Sequence, residues 1–300
     1  MSLTQNVKAT IHSLLQQCGV QYKALPFDQV LYQECFDEGV RRGYPMEGEV
    51  SVRTYLRDGV MYGATAGGHL HHRPTQIWIS LWTSCAIFVD ETFSRFPSEV
   101  AHTYQFNDRF IRRQAQGNGV LGALADLLHQ TPELFNAVAS NLVTTSILNF
   151  VTACLLEHET RDMKISTDAQ RYPTYQRIMS GVGEAYSFMV FDKEIPLNDY
   201  IQALPEMTLF IHNLNDVLSF YKEERAGESG NQVSLIAARK QTSKLEAFNG
   251  LAEITVELHG RILKIMEASP AACEAFRQYT AGYVYFHTSL QRYRLLDLEL

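Results

Sequence analysis

Alternation of apolar and polar residues at strand period is missing from this 300-residue chain over any useful length, which argues against sheets, barrels and sandwiches. No CxxC pair occurs. The five cysteines (Cys18, Cys35, Cys85, Cys154, Cys273) are odd in number and scattered. That pattern excludes a disulfide scaffold or a zinc ribbon and is expected of reduced thiols in a cytoplasmic protein. Positive charge is not in excess either. The formal net charge is −7, so nothing steers the chain toward nucleic acid, and Arg109, Arg112 and Arg113 read as a solvated helix face. Low-complexity linkers and solenoid-length repeats are absent. The opening residues lack the charged-then-apolar pattern of a secretory signal.

One uncharged stretch, Leu134 to Leu156, is long enough to span a bilayer. It carries Asn136, Ser140, Asn141, Thr144, Thr145, Ser146, Asn149 and Thr152. That is too much polarity for a lipid-facing helix, so a buried central helix is expected and a membrane partner is not.

What the sequence does have is helical periodicity almost throughout. Helices are expected over 6–17, 27–42, 49–64, 75–95, 98–114, 119–130, 132–158, 173–190, 197–223, 232–267 and 270–297. Pro26, Pro45, Pro74, Pro97, Pro132, Pro173, Pro196 and Pro270 stand near their boundaries. With 46% hydrophobic residues and short connections, the chain reads as one all-α domain over 1–300, a helical bundle. Two loops break the rhythm. Residues 66–74 form a histidine-rich turn (His69, His71, His72) with no carboxylate or cysteine beside it, read as an exposed loop. Residues 224–230 are rich in glycine and charge and read as a segment able to close over a ligand.

The chemistry concentrates in Asn215-Asp216-Val217-Leu218-Ser219-Phe220-Tyr221-Lys222-Glu223. Asn215, Ser219 and Glu223 are spaced i, i+4 and i+8 with no glycine or proline between them, which places them within about 80° of one another on a helix. Each offers oxygen, the donor that Mg²⁺ prefers. One carboxylate, one amide and one hydroxyl bind Mg²⁺ weakly alone, so such a site completes its shell with water and substrate phosphate. Apolar neighbours (Leu209, Phe210, Ile211, Leu214) surround this polar ridge, so it is expected to point into a cavity. A second acidic element, Asp90-Glu91, follows an apolar run in which Trp82, Ala86 and Asp90 share one helix face. Gly181-Val182-Gly183 should break or kink the helix that contains them.

In this arrangement the chain resembles class I terpene cyclases, and within them the fungal trichodiene synthase-like sesquiterpene cyclases. Asn215 to Glu223 matches the second metal motif, N/D-D-x-x-S/T-x-x-x-E, at every defined position. Arg292-Tyr293, 77 residues after Asn215, resembles the C-terminal arginine–tyrosine pair. Arg177, Ser180 and Gly181 resemble the diphosphate-sensing arginine, its linker and the effector glycine. Asp90 corresponds to the first residue of the aspartate-rich motif. The family's second aspartate is here Glu91, and its later acid is replaced by Ser94 and Arg95.

The resemblance implies a Mg²⁺-dependent terpene synthase that ionises a prenyl diphosphate, most naturally farnesyl diphosphate, with three Mg²⁺ ions bound together with the diphosphate. Asp90, Asn215, Ser219 and Glu223 would be metal ligands. Arg177, Lys222, Arg292 and Tyr293 would hold the diphosphate, and the Gly181 carbonyl would trigger ionisation. A homodimer is also implied. Mg²⁺ and guanidinium groups suit the stabilisation of a leaving diphosphate. The cation left behind needs apolar, aromatic walls. Among 16 Phe, 15 Tyr and 2 Trp, Trp82, Phe150, Phe188, Tyr283 and Phe286 lie on helices bearing or flanking the motifs. Geranyl diphosphate as substrate, an acyclic alcohol as product, or a catalytically silent helical binding protein are the alternative readings.

Overall fold

The computed structural model describes residues 3–161, 163–166, 168–228 and 230–298, and among them no strand occurs. The α-helices in chain order are α1 (Leu3–Gln17), α2 (Gln29–Arg41), α3 (Leu56–Thr65), α4 (Arg73–Arg95), α5 (Val100–Ile111), α6 (Gly119–Leu134), α7 (Ala137–Glu159), α8 (Tyr172–Ser180), α9 (Gly183–Phe188), α10 (Leu204–Ala226), α11 (Gln232–Lys240), α12 (Lys244–Ile265) and α13 (Pro270–Ser289). The chain forms two compact units. One comprises Met1–Pro26, Lys164–Phe191 and Ile195–Leu300; the other comprises Phe27–Met163 and Asp192–Glu194.

The unit containing residues 27–163 is organised around α4, which buries Trp78, Leu81, Trp82, Cys85, Phe88 and Val89. Helix α3 lies so close to it that a Cβ on Gly59 would stand 2.1 Å from the Ser80 carbonyl oxygen. Glycine is therefore needed at that crossing. The uncharged stretch 134–156 falls mostly in α7, a helix long and apolar enough to cross a membrane by length and composition, with half of its apolar window buried inside the protein. Two of its polar residues have partners on neighbouring helices. Ser140 Oγ lies 2.9 Å from Thr131 Oγ1 at the end of α6, and Asn107 Nδ2 on α5 donates to Thr152 Oγ1 at 2.9 Å. In the histidine-rich loop, His71 is exposed, and its Nδ1 lies 2.8 Å from Asp192 Oδ2.

The other unit is organised around α10, which contacts α8, α9, α11, α12 and α13. Several expected boundaries differ here. The helix expected over 173–190 is two helices, because Val182 adopts a left-handed conformation (φ 52°) between α8 and α9. The helix expected over 232–267 is also two. Gln241 turns left-handed (φ 53°) after α11, and a capping box of Ser243 and Glu246 restarts the chain as α12. Helix α13 stops at Ser289, leaving Arg292-Tyr293 in a separate 3₁₀ turn. Residues 197–203 are 3₁₀ turns before α10 begins with Pro205 in its first turn. In the other unit, Pro132 sits inside α6 instead of opening the next helix. The expected closing loop 224–230 begins as helix. Helix α10 runs to Ala226 and ends at Gly227 (φ 74°), while Ser229 lies outside the described residues.

Candidate active site

Helix α10 carries the ridge, and neighbouring groups orient Asn215 on it. Asn215 is the best determined. The Tyr283 carbonyl, 2.8 Å from His287 Nδ1, can only accept, so Nδ1 bears the proton and Nε2 is left as an acceptor. Asn215 Nδ2, 3.1 Å from that Nε2, therefore donates. This leaves Asn215 Oδ1 facing Arg177, whose Nη2 donates to it at 3.1 Å. Burial holds His287 neutral by lowering its pKa to about 3, with Arg292 and Lys222 pushing the same way against the Tyr283 carbonyl.

Arg177, on the last turn of α8, is bidentate to the carboxylate of Asp216. Its Nε donates to Oδ2 at 3.1 Å and its Nη2 to Oδ1 at 2.6 Å. Burial raises the Asp216 pKa, and the guanidinium opposes that rise. One turn along α10, Ser219 is only 2% exposed, and its hydroxyl has no hydrogen-bond partner. Glu223 comes next, its pKa raised first by burial. The nearby Ser219 hydroxyl, outside bonding geometry, and the Lys222 ammonium, 3.9 Å away, pull it down.

The donor set fits a hard divalent cation completed from outside. Among the described residues, no three His, Cys, Asp or Glu side chains cluster as a metal site. The ridge instead combines an oriented amide oxygen, an orphaned buried hydroxyl and one carboxylate. An orphaned hydroxyl costs about 1–3 kcal/mol, which a ligand at that point would recover.

The remaining candidates distribute as follows. Tyr293 is buried, with its ring 4.3 Å from His287 and 5.7 Å from Phe286, while the exposed Arg292 guanidinium lies 5.8 Å from the Tyr293 ring centroid. Tyr283 stacks on Phe286 at 6.4 Å, and Phe188 meets Tyr200 edge-on at 6.4 Å. Ser180 and Gly181 are half-buried at the end of α8. In the other unit, Trp82 meets Phe150 edge-on at 6.2 Å, and Asp90 is exposed within the last turns of α4.

Three residues that sequence reasoning left without a role belong to this network: Asp216, His212 and His287. Asp216 stood inside the motif. His212 is three residues before Asn215 on the same helix, a spacing that puts both on neighbouring surface. For His287 no sequence signal separates an anchoring imidazole from an ordinary core histidine.

Residues 69–299 match the trichodiene synthase (TRI5) family. The chain belongs to that family. It is similar to alpha-cuprenene synthase COP6 of Coprinopsis cinerea, with 32% identity over 98% of this chain and 90% of that protein. It is also similar to monoterpene synthase 25 of Postia placenta, at 31% identity over 83% of this chain and 75% of that one. Among solved structures, the linalool/nerolidol synthase of Streptomyces clavuligerus aligns with a TM-score of 0.61 at 13% identity, over 90% of this chain and 96% of that one. The fold is thus that of the class I terpene synthases, and family membership makes the protein a lyase of that class.

Proposed function

We propose that this terpene synthase ionises farnesyl diphosphate with Mg²⁺ and releases a sesquiterpene and diphosphate. The observation that carries the reading is the ridge of α10. There the Asn215 amide is held at both ends, Oδ1 accepting from Arg177 and Nδ2 donating to His287, the Ser219 hydroxyl is buried without a partner, and Glu223 follows on the same face. Asn215, Ser219 and Glu223 would hold Mg²⁺, and the reading gives Asp90 a ligand role as well. Bound Mg²⁺ would supply Lewis-acid stabilisation of charge on the leaving diphosphate.

The chain's own groups do the rest. Arg177 offers a planar, permanently charged fork for phosphate oxygens, at present turned on Asp216, with which an arriving diphosphate would compete. Lys222, Arg292 and the Tyr293 hydroxyl would add donors. The reading gives Tyr283, Phe286 and Phe188, and separately Trp82 and Phe150, the part of aromatic walls, each ring face of which would stabilise a cation by about 0.5–2 kcal/mol. Residues 1–300 are taken as one synthase domain, since the family match draws on both compact units.

The test is incubation with C10 and C15 prenyl diphosphates plus Mg²⁺, followed by headspace mass spectrometry. A C15 hydrocarbon is expected. Geranyl diphosphate is the second reading, favoured by similarity to a monoterpene synthase. Absence of any volatile product from either substrate would remove the catalytic reading and leave a silent binding protein.

A further inference from the structure

His212 joins the break between α8 and α9 to α10. It is 2% exposed on α10, one turn before Asn215, and its Nε2 accepts a hydrogen bond from the Gly183 backbone N–H at 2.9 Å. The acceptor is available because burial and the Arg177 charge hold the ring neutral, against an opposing pull from the Gly181 backbone. Its Nδ1 is buried without a partner.

Both glycines of the break are shaped around this ring. A Cβ on Gly181 would lie 2.3 Å from His212 Nε2 and 2.8 Å from Arg177 Nη1, and one on Gly183 would lie 2.6 Å from His212 Nε2. Between them, Val182 holds a left-handed conformation (φ 52°) that a β-branched residue rarely adopts. Such strain of about 1–3 kcal/mol persists only where the surroundings over-determine it. Here the imidazole closes on both flanking glycines, and Arg177 closes on Gly181 as well.

We infer that His212 is a positioning residue: its Nε2 pins Gly183 and thereby keys the Gly181–Gly183 break to α10, so that Arg177 and the oxygen ridge keep one register during ionisation. This rests on the functional reading above. A group acting through geometry should affect the chemical step more than substrate capture, because misplacement of about 1 Å can lower a rate about 100-fold.

The experiment compares His212→Leu, which fills similar space without an acceptor, with His212→Gln, whose Oε1 can accept near the same point. Hydrogen exchange at the Gly183 amide is read in the unliganded protein, alongside kcat and KM for the prenyl diphosphate. In His212→Leu, Gly183 should exchange about tenfold faster and kcat should fall about 100-fold, with KM within about threefold of wild type. His212→Gln should restore Gly183 protection and at least about tenfold of the lost kcat.

Should His212→Leu not fold, Gly183→Ala presses the same contact from the other side and is expected to lower kcat at unchanged KM. Full activity there overturns the inference. Unchanged Gly183 protection in His212→Leu, or equal impairment of the Leu and Gln variants, also overturns it. A turning-over wild type with an unaffected His212→Leu sinks this inference alone. A wild type that ionises no prenyl diphosphate sinks it together with the functional reading.

Discussion

Helices α4 and α10 are both 23 residues long and largely buried, yet they treat their hydroxyl groups in opposite ways. On α4, Ser80 donates to the Gln76 carbonyl at 2.8 Å, Ser84 to Ser80 at 2.7 Å and Thr92 to Phe88 at 2.7 Å. Each hydroxyl is satisfied by the turn below it, the usual fate of a serine or threonine inside a buried helix. On α10, Ser219 has the same option with the Asn215 carbonyl, and its hydroxyl is left without a partner. The neighbouring polar groups also look outward: Asn215 to His287 and Arg177, and Asp216 to Arg177. Polar atoms that close on their own backbone are satisfied within the helix and need nothing from outside. Polar atoms held away from it are oriented for something else.

Removing the outward-facing oxygens tests that contrast most severely. Replacing Asn215 and Glu223 together by Leu should reduce turnover at least about 10³-fold, equivalent to about 4 kcal/mol of barrier, while circular dichroism shows unchanged helicity. Retained turnover would mean that the ridge holds no metal. Arg177→Lys comes next. Lysine keeps the charge but loses the bidentate fork that engages Asp216. A drop in kcat/KM of about 100-fold is expected, and an unchanged rate constant would remove Arg177 from diphosphate handling.

The sharpest version of the comparison is a matched pair. Ser219→Ala should lower turnover about tenfold and raise the KM for Mg²⁺, without loss of thermal stability, because the alanine removes an unsatisfied buried hydroxyl. Ser84→Ala should do the reverse. It gives up a bond made within its own helix and should cost about 0.5–1.5 kcal/mol of stability, with kcat unmoved. If both variants behave alike, the distinction between the two helices has no functional content.

The ridge itself was legible because its signal is periodic and local. Three oxygen-bearing side chains at i, i+4 and i+8 within one uninterrupted helix need no tertiary information to be placed on one face. The break at Gly181–Gly183 was legible for a similar reason, since glycine weakens a helix wherever it falls. Which glycine-flanked residue would turn left-handed was not. Val182 has no intrinsic tendency to do so, and the neighbouring Gly183 N–H finds its partner, His212, 29 residues away. The split at Gln241–Ser243 was hidden because residues 232–267 keep an apolar rhythm across the gap, although Ser243 and Glu246 spell a capping box in plain sight. Asp216, named only as part of the motif, acquires its role through Arg177, 39 residues earlier in the chain.

Buried histidines extend the contrast to acid stability, the smallest effect. His287 is neutral with both ring nitrogens engaged, whereas His259 is neutral with its Nε2 buried and unpartnered, between Phe210 at 5.7 Å and Phe276 at 5.4 Å. Burial, with the Arg277 charge adding to it, lowers the His259 pKa from 6.5 to about 4. Between those two values the unfolded chain binds a proton that the folded protein refuses. Stability that is fully present above pH 6.5 is therefore lost progressively as the pH falls toward 4. At pH 5.5 the loss from this one ring is about 1.4 kcal/mol. His259→Phe should remove that share of the pH dependence, measured as a flatter plot of unfolding free energy between pH 7 and 5.5. It should leave kcat at pH 7 unchanged, because His259 contacts core aromatics and no group of the ridge. An equally steep plot in the variant would mean that the acid sensitivity resides in other groups.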